Sequence, residues 1–190
     1  MQALIVSTGV VALAESGDKT QLLAFILAAR FKKPLPIIAG ILCATVINHG
    51  LAGALGAWIT ASVSPQVLRW VLGLSFIGMA VWTLIPDQIE EEETRIASRL
   101  GVFGATFVTF FLAEMGDKTQ IATIAMAAHY ASPLLVVIGT TLGMLIADVP
   151  AVFVGDRFAA KIPMKLVHRV AAGIFAVMGL LVLLQVDAAF

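Results

Sequence analysis

Two copies of one charged heptapeptide decide the fold of this chain, Glu15-Ser-Gly-Asp-Lys-Thr-Gln21 and Glu114-Met-Gly-Asp-Lys-Thr-Gln120. Each copy lies near the middle of a long apolar stretch, at the depth where a charge is most expensive in a membrane. A single charged side chain costs about 2.5–3.5 kcal/mol there, so six independent charges would cost on the order of 15–20 kcal/mol. The charges must therefore compensate one another, contact a water-filled cavity or hold an ion.

The composition of the chain favours a membrane protein. Of its 190 residues, 60% are hydrophobic and only 13% are charged, whereas a soluble domain is about 25% charged. The net charge of +0 and the pI of about 6.8 give no indication of a nucleic-acid partner. The single cysteine, Cys43, excludes an intrachain disulfide and a thiolate metal cluster.

Six stretches are long enough to cross a bilayer, whose core needs about 20 apolar residues in a helix. Breaks that contain proline or glycine separate most of these stretches. The sequence therefore predicts an all-α integral membrane protein with six transmembrane helices, in which each heptapeptide lies inside one continuous helix. The predicted spans are residues 3–29, 35–59, 66–85, 101–128, 134–155 and 167–186.

The second half of the chain resembles the first half at an offset of 99 residues. The pairs that match are Glu15 and Glu114, Pro34 and Pro133, and Gly40 and Gly139. Each half has three predicted spans, an odd number, so the two halves are expected to enter the membrane in opposite directions. Inverted repeats are typical of transporters, whose substrate site lies at the midplane between the repeats. The predicted units are a first repeat at 1–86, a cytoplasmic acidic linker at 87–100 and a second, inverted repeat at 101–190.

The basic residues predict the orientation of the chain. Only Arg69 lies in a loop on one side, and nine basic residues lie on the other: Arg30, Lys32, Lys33, Arg95, Arg99, Arg157, Lys161, Lys165 and Arg169. Because cytoplasmic loops are rich in Lys and Arg, the second side is expected to face the cytoplasm. We therefore expect a multi-pass protein of the inner membrane with both termini outside the cytoplasm. The acidic linker is either a solvated connection or a regulatory patch.

Helical spacing predicts how each heptapeptide presents its side chains. Glu15, Asp18 and Gln21 are three residues apart and would form one stripe of oxygens, with Lys19 paired to Glu15 along the same helix. The second copy predicts the same stripe and the pairing of Lys118 with Glu114. The glycines, Gly17 and Gly116, would allow close contact between helices. The second stripe comprises Glu114, Asp117 and Gln120.

If the two heptapeptides meet, four carboxylates and two amide oxygens converge. Hard divalent cations such as Mn²⁺, Ca²⁺ and Mg²⁺ favour oxygen ligands of this kind. Neither copy contains Cys or His, which argues against copper and zinc. Four acids against two lysines leave two negative charges, enough for one divalent cation or two protons. The alternative is a set of buried salt bridges that only ties helices together.

Several polar residues outside the stripes are secondary candidates. Asn48 and Asp148 could add ligands or relay protons, although Asn48 is more readily explained by a hydrogen bond between helices. His49 is interpreted as a polar residue of the bundle interior whose hydrogen bonds are satisfied. Thr20 and Thr119 are expected to bond back to the backbone of their own helices or, as the alternative, to line the site.

The sequence Glu-x-Gly-Asp-Lys-Thr, present twice in a duplicated six-span chain, resembles the Gdt-type family of cation/proton exchangers, and in particular its bacterial manganese exporters. The resemblance implies that Glu15, Asp18, Glu114 and Asp117 bind the transported cation. It also implies that Lys19 and Lys118 are their basic partners, and it selects Mn²⁺ over Ca²⁺ as the exported ion. No permanently bound cofactor is expected.

The predicted function is secondary active export of divalent cations from the cytoplasm, with protons as the counter-ion and the lipid bilayer as the surrounding medium. A uniporter or channel for the same ions is the alternative within transport. An intramembrane carboxylate enzyme is the alternative from another class, since paired acids can do acid/base work. We expect no enzyme, because the sequence shows no Ser/His, Cys/His or HExxH arrangement. The residues alone leave the choice between Mn²⁺ and Ca²⁺, the proton stoichiometry and the oligomeric state open.

Overall fold

A computed structural model of the chain describes residues 1–85, 100–130, 132–154 and 164–185, apart from the side chains of Val154, Met164, Lys165, Val167 and His168. The regular structure of these residues is entirely α-helical. The predicted acidic linker lies outside the described residues, except for its last residue. The described helices are α1 (Gln2–Glu15), α2 (Lys19–Phe31), α3 (Pro34–Ser62), α4 (Pro65–Trp82), α5 (Val102–Glu114), α6 (Lys118–Tyr130), α7 (Pro133–Val154) and α8 (Met164–Leu184).

Four of the six predicted spans correspond to single helices, namely α3, α4, α7 and α8. The other two, 3–29 and 101–128, are each divided into two shorter helices. The prediction that each heptapeptide lies inside a continuous helix is therefore wrong, because the helix ends at the glutamate and restarts at the lysine. Three described helices are long and apolar enough to cross a membrane: Pro34–Ser62, Pro65–Trp82 and Pro133–Phe153.

Prolines mark the beginnings of three helices, as the sequence indicated. Pro34, Pro65 and Pro133 are the first residues of α3, α4 and α7. Proline suits this position because its fixed φ matches the helix and its missing N–H has no partner there in any case. At the C-terminal end of α2, Lys32 adopts a left-handed conformation, and its backbone N–H donates to the Ala28 carbonyl.

Glycines allow the helices to approach closely. A Cβ on Gly143 of α7 would lie 2.6 Å from the backbone oxygen of Thr8 in α1. A Cβ on Gly56 of α3 would lie 2.5 Å from the backbone oxygen of Ile124 in α6. Such distances are shorter than real side-chain contacts, so these positions require glycine and let the helix backbones touch.

The buried apolar side chains form two separate clusters. The first apolar cluster joins α1, α4, α6, α7 and α8 and includes Val11, Phe76, Met126 and Phe175. The second apolar cluster joins α2, α3, α5 and α7 and includes Leu23, Ile41, Phe110 and Val152. The two heptapeptides lie where the helices of one cluster give way to those of the other.

Candidate cation site

Each heptapeptide folds as a tight break between two helices. Gly17 and Gly116 have φ values of 85° and 81°, in the left-handed region that glycine enters without the steric cost that other residues meet. A Cβ on Gly116 would meet nothing within 4 Å. The interpretation of this glycine as a helix-contact residue is therefore wrong, since the backbone turn rather than crowding requires it.

The aspartate and the glutamine of each copy hold the break in place. The Asp18 carboxylate accepts a hydrogen bond from the Lys19 backbone N–H at 2.8 Å and so caps α2. The Gln21 side-chain oxygen accepts from the Gly17 N–H at 2.9 Å. The second copy repeats both bonds: Lys118 N–H to Asp117 at 2.7 Å, and Gly116 N–H to Gln120 at 2.8 Å.

The threonines bind the glutamates instead of their own helix backbones. The Thr20 hydroxyl donates to Oε2 of Glu15, and the Thr119 hydroxyl donates to Oε2 of Glu114 at 2.9 Å. The expected back-bonding is therefore wrong for both residues. The break brings the threonine, five residues along the chain, back to the glutamate, which a continuous helix would not do.

Ion pairs connect the two copies to each other. Lys118 Nζ lies 2.9 Å from Oδ2 of Asp18, and both side chains are only 1% exposed. Lys19 Nζ lies 3.7 Å from Oδ2 of Asp117, and the Lys19 side chain is 20% exposed. The predicted pairing of each lysine with the glutamate of its own helix is thus replaced by pairing with the aspartate of the other copy.

Three buried carboxylates converge between the copies. Glu15, Glu114 and Asp117 each place an oxygen within 4.8 Å of the others. Oε1 of Glu15 and Oε1 of Glu114 are buried with no hydrogen-bond partner among the described residues. Two unit charges at this distance repel by about 3–4 kcal/mol at an effective dielectric constant of 20. A cation or protons would remove that repulsion, so the donor set fits a hard divalent ion.

The secondary candidates have different surroundings. Asn48 donates to the Phe111 carbonyl at 3.0 Å, which confirms the expected hydrogen bond between helices. Asp148 is fully buried, and neither of its oxygens has a hydrogen-bond partner in the described part of the chain. It lies within electrostatic range of Glu15 and Asp18, and the side-chain amide of Gln21 donates to the neighbouring Ala147 carbonyl at 2.9 Å. Asp148 therefore belongs to the surroundings of the carboxylate cluster.

His49 differs from its prediction. It lies in the interior, but both ring nitrogens are without a hydrogen-bond partner among the described residues. The interpretation of His49 as a satisfied polar residue is therefore wrong. Its position is equivalent to that of Asp148 in the second half of the chain.

Ionisable side chains buried between the two halves of an apolar helical chain are typical of membrane proteins with an ion or substrate pathway. The sequence model of the family "Divalent cation/proton antiporter GDT1" matches residues 3–91 and again residues 102–189. The chain therefore belongs to this family, and it is a multi-pass membrane protein. The resemblance that the repeated motif indicated is confirmed.

Relatives from bacteria and plants support the same assignment. The chain is 52% identical to a "Putative manganese exporter" of Vibrio cholerae, over 95% of this chain and 90% of that protein. It is 29% identical to "GDT1-like protein 3" of Oryza sativa subsp. indica, over 91% of this chain and 70% of that protein. It is 27% identical to "GDT1-like protein 5" of Arabidopsis thaliana, over 99% of this chain and 98% of that protein. No solved structure matches the chain.

Proposed function

We propose that the protein exports Mn²⁺ from the cytoplasm in exchange for protons, with one cation site between the two heptapeptides. The buried group of Glu15, Glu114 and Asp117 is the observation that carries the proposal. The Vibrio cholerae relative that carries the name "Putative manganese exporter" supports the choice of ion. The excess of basic residues in the loops predicted to be cytoplasmic supports the orientation, and the orientation determines the direction of export.

In this proposal the motif residues have different tasks, and Asp117 has two of them. The two glutamates and Asp117 supply carboxylate oxygens to the cation, and each glutamate is oriented by the hydroxyl of a threonine, Thr20 or Thr119. The aspartates and glutamines shape the breaks that carry these ligands, and they contribute further oxygens close by. Asp148 and Asn48 remain candidates for additional contacts.

The lysines provide counter-charge when no cation is present. Four motif carboxylates and two lysines leave two negative charges. One bound Mn²⁺ or two bound protons would neutralise these charges. The same oxygens that bind metal also bind protons, so the two ions compete for one site. Exchange requires that the site can open to either side of the membrane when it holds Mn²⁺ or protons. The empty, charged site must not be able to change sides.

Flux measurements in proteoliposomes test this function. With an imposed pH gradient, we expect Mn²⁺ to move against its own gradient and protons to move in the opposite direction. Ca²⁺ added in excess on the same side should reduce Mn²⁺ flux less than an equal concentration of unlabelled Mn²⁺. Mn²⁺ flux that is independent of the pH gradient and moves no protons would identify a uniporter or channel instead. A Ca²⁺ flux that exceeds the Mn²⁺ flux would overturn the choice of ion.

A further inference from the structure

The two apolar clusters are built from equivalent positions of the two halves of the chain. Residues of the first cluster in α1, α6 and α7 recur in the second cluster at an offset of 99, in α5, α2 and α3. The pairs are Val11 and Phe110, Ala14 and Ala113, Ala122 and Leu23, Met126 and Leu27, and Val136 and Ile37. The two halves of the chain therefore build two equivalent apolar clusters, one on each side of the heptapeptides.

The helix pair α4 and α8 breaks this equivalence. Its large buried side chains, Leu72, Phe76, Met79, Phe175 and Met178, belong to the first apolar cluster. The second cluster contains no residue of α4 or α8 in the described part of the chain. Phe76 and Phe175 stack on each other with ring centroids 6.4 Å apart, so the pair is one packed unit that rests on one of two equivalent cores.

The face of α2 that corresponds to the covered face of α6 is uncovered. On α6, Ala125 and Ala128 are each 3% exposed. On α2, the residue equivalent to Ala125 is Ile26, which is 38% exposed, and the residue equivalent to Ala128 is Ala29, which is also exposed. A large apolar side chain is therefore more than a third exposed on α2, at the position where its counterpart on α6 is packed.

The two arginines of the helix pair, Arg69 and Arg169, also differ in how far they are covered. Arg69 of α4 is half-buried in a cavity of about 570 Å³, whose wall includes Ala128 and His129 in the last turn of α6. A cation at that end of a helix is stabilised by the backbone carbonyls. Arg169 of α8, the counterpart in the other repeat, is exposed and borders a groove between α4 and α8 to which α2 contributes no residue.

We propose that the α4–α8 pair has two alternative docking positions, the present one on α1 and α6, and an equivalent one on α2 and α5. In the second position Arg169 takes the place at the end of α2 that Arg69 occupies here at the end of α6. The inference rests on the proposed transport function, for which it supplies the moving element. The two arginines are positioning residues that set the balance between the two positions.

Paired cysteines distinguish the two positions. In full-length protein with Cys43→Ser, one variant carries Leu72→Cys and Ala128→Cys, which line the cavity seen here. The matched variant carries Ala172→Cys and Ala29→Cys, which are the equivalent residues of the other repeat. A short bifunctional maleimide is applied in proteoliposomes, with and without Mn²⁺ and a pH gradient. Both pairs should cross-link within one chain, and conditions that increase one product should decrease the other.

The result separates this inference from the proposed function. Protein that transports Mn²⁺ while the second pair never cross-links within one chain under any of these conditions overturns the docking positions and leaves transport intact. Intrachain cross-linking of the second pair in protein that transports no Mn²⁺ supports the movement and removes the transport proposal. A second-pair product that joins two chains overturns the inference, because the uncovered face of α2 is then a dimer interface.

The arginines provide a readout that a merely structural role would not give. In the background of the second cysteine pair, Arg69→Gln should weaken the present docking position and increase the intrachain product several-fold. Arg169→Gln should decrease the same product. Changes in the same direction for both variants would contradict opposed positioning roles.

Discussion

The three converging carboxylates are the residues on which transport should depend most. Glu15→Gln and Asp117→Asn keep the size of the side chain but remove a charge from the cluster. We expect Mn²⁺ flux to fall by more than about 100-fold, since changes in groups that only orient metal ligands already cost 10- to 100-fold. Ser75→Ala in α4, whose hydroxyl donates to the Leu72 carbonyl of its own helix, is the control. Full flux in either acid variant would remove that residue from the site.

Lys118 should matter for stability as well as for transport. It is 1% exposed and lies 2.9 Å from Asp18, so Lys118→Met removes the cation that pairs with this buried carboxylate. Breaking one partner of a buried pair costs about 3–5 kcal/mol. Unfolding of purified protein in detergent measures the loss, and Lys19→Met should cost less because that pair is longer and more exposed. Equal losses for the two lysines would contradict this difference in burial.

Among the elements, the breaks within the heptapeptides divide the two predicted spans 3–29 and 101–128 into shorter helices. Gly116→Ala forces a side chain into a left-handed conformation, which costs about 1–2 kcal/mol. Gly78→Ala, in α4 with free space around its Cα, is the matched control and should be neutral or slightly stabilising. Thermal unfolding of both variants in detergent provides the comparison. A Gly116→Ala protein as stable as Gly78→Ala would show that the turn does not need glycine.

Most of the helices could be predicted from the sequence, because apolar length and proline position determine them. The starts of α3, α4 and α7 were predicted to within one residue for this reason. The breaks at Gly17 and Gly116 were not predicted, because the apolar residues on both sides of each heptapeptide together have the length of one span. A glycine directly before an aspartate that can cap a following helix was the signal available, and it occurs in both copies.

The structure brings the predicted residues Glu15, Glu114 and Asp117 together, but the predicted pairing of the lysines was wrong. The cost of buried charge identifies Glu15, Asp18 and Lys19 from composition and depth alone. Which lysine meets which aspartate depends on how the two halves of the chain pack, and a helical wheel of one segment carries no such information. The hydrogen bond from Thr20 to Glu15 depends on the break and was missed together with it.

For the whole molecule, binding of Mn²⁺ should appear as stabilisation. A ligand that binds only the folded protein at 100 times its Kd stabilises it by about 2.7 kcal/mol. We expect Mn²⁺ to raise the Tm in detergent, EDTA to reverse the rise, and Glu114→Gln to abolish most of it. The rise should shrink as the pH is lowered, because protons occupy the same carboxylates. A rise that is unchanged in Glu114→Gln would place the metal elsewhere.

The reciprocal ion pairs also bear on how such a chain could arise. Each buried lysine finds its carboxylate in the other half of the molecule, Lys118 with Asp18 and Lys19 with Asp117. A chain of half this length would carry an aspartate and a lysine that cannot neutralise each other in this way, and it would need a second copy beside it in the membrane. Gene duplication would then have joined two halves that already depended on each other, and the two halves of the present protein, expressed as separate polypeptides, should still find and complete one another.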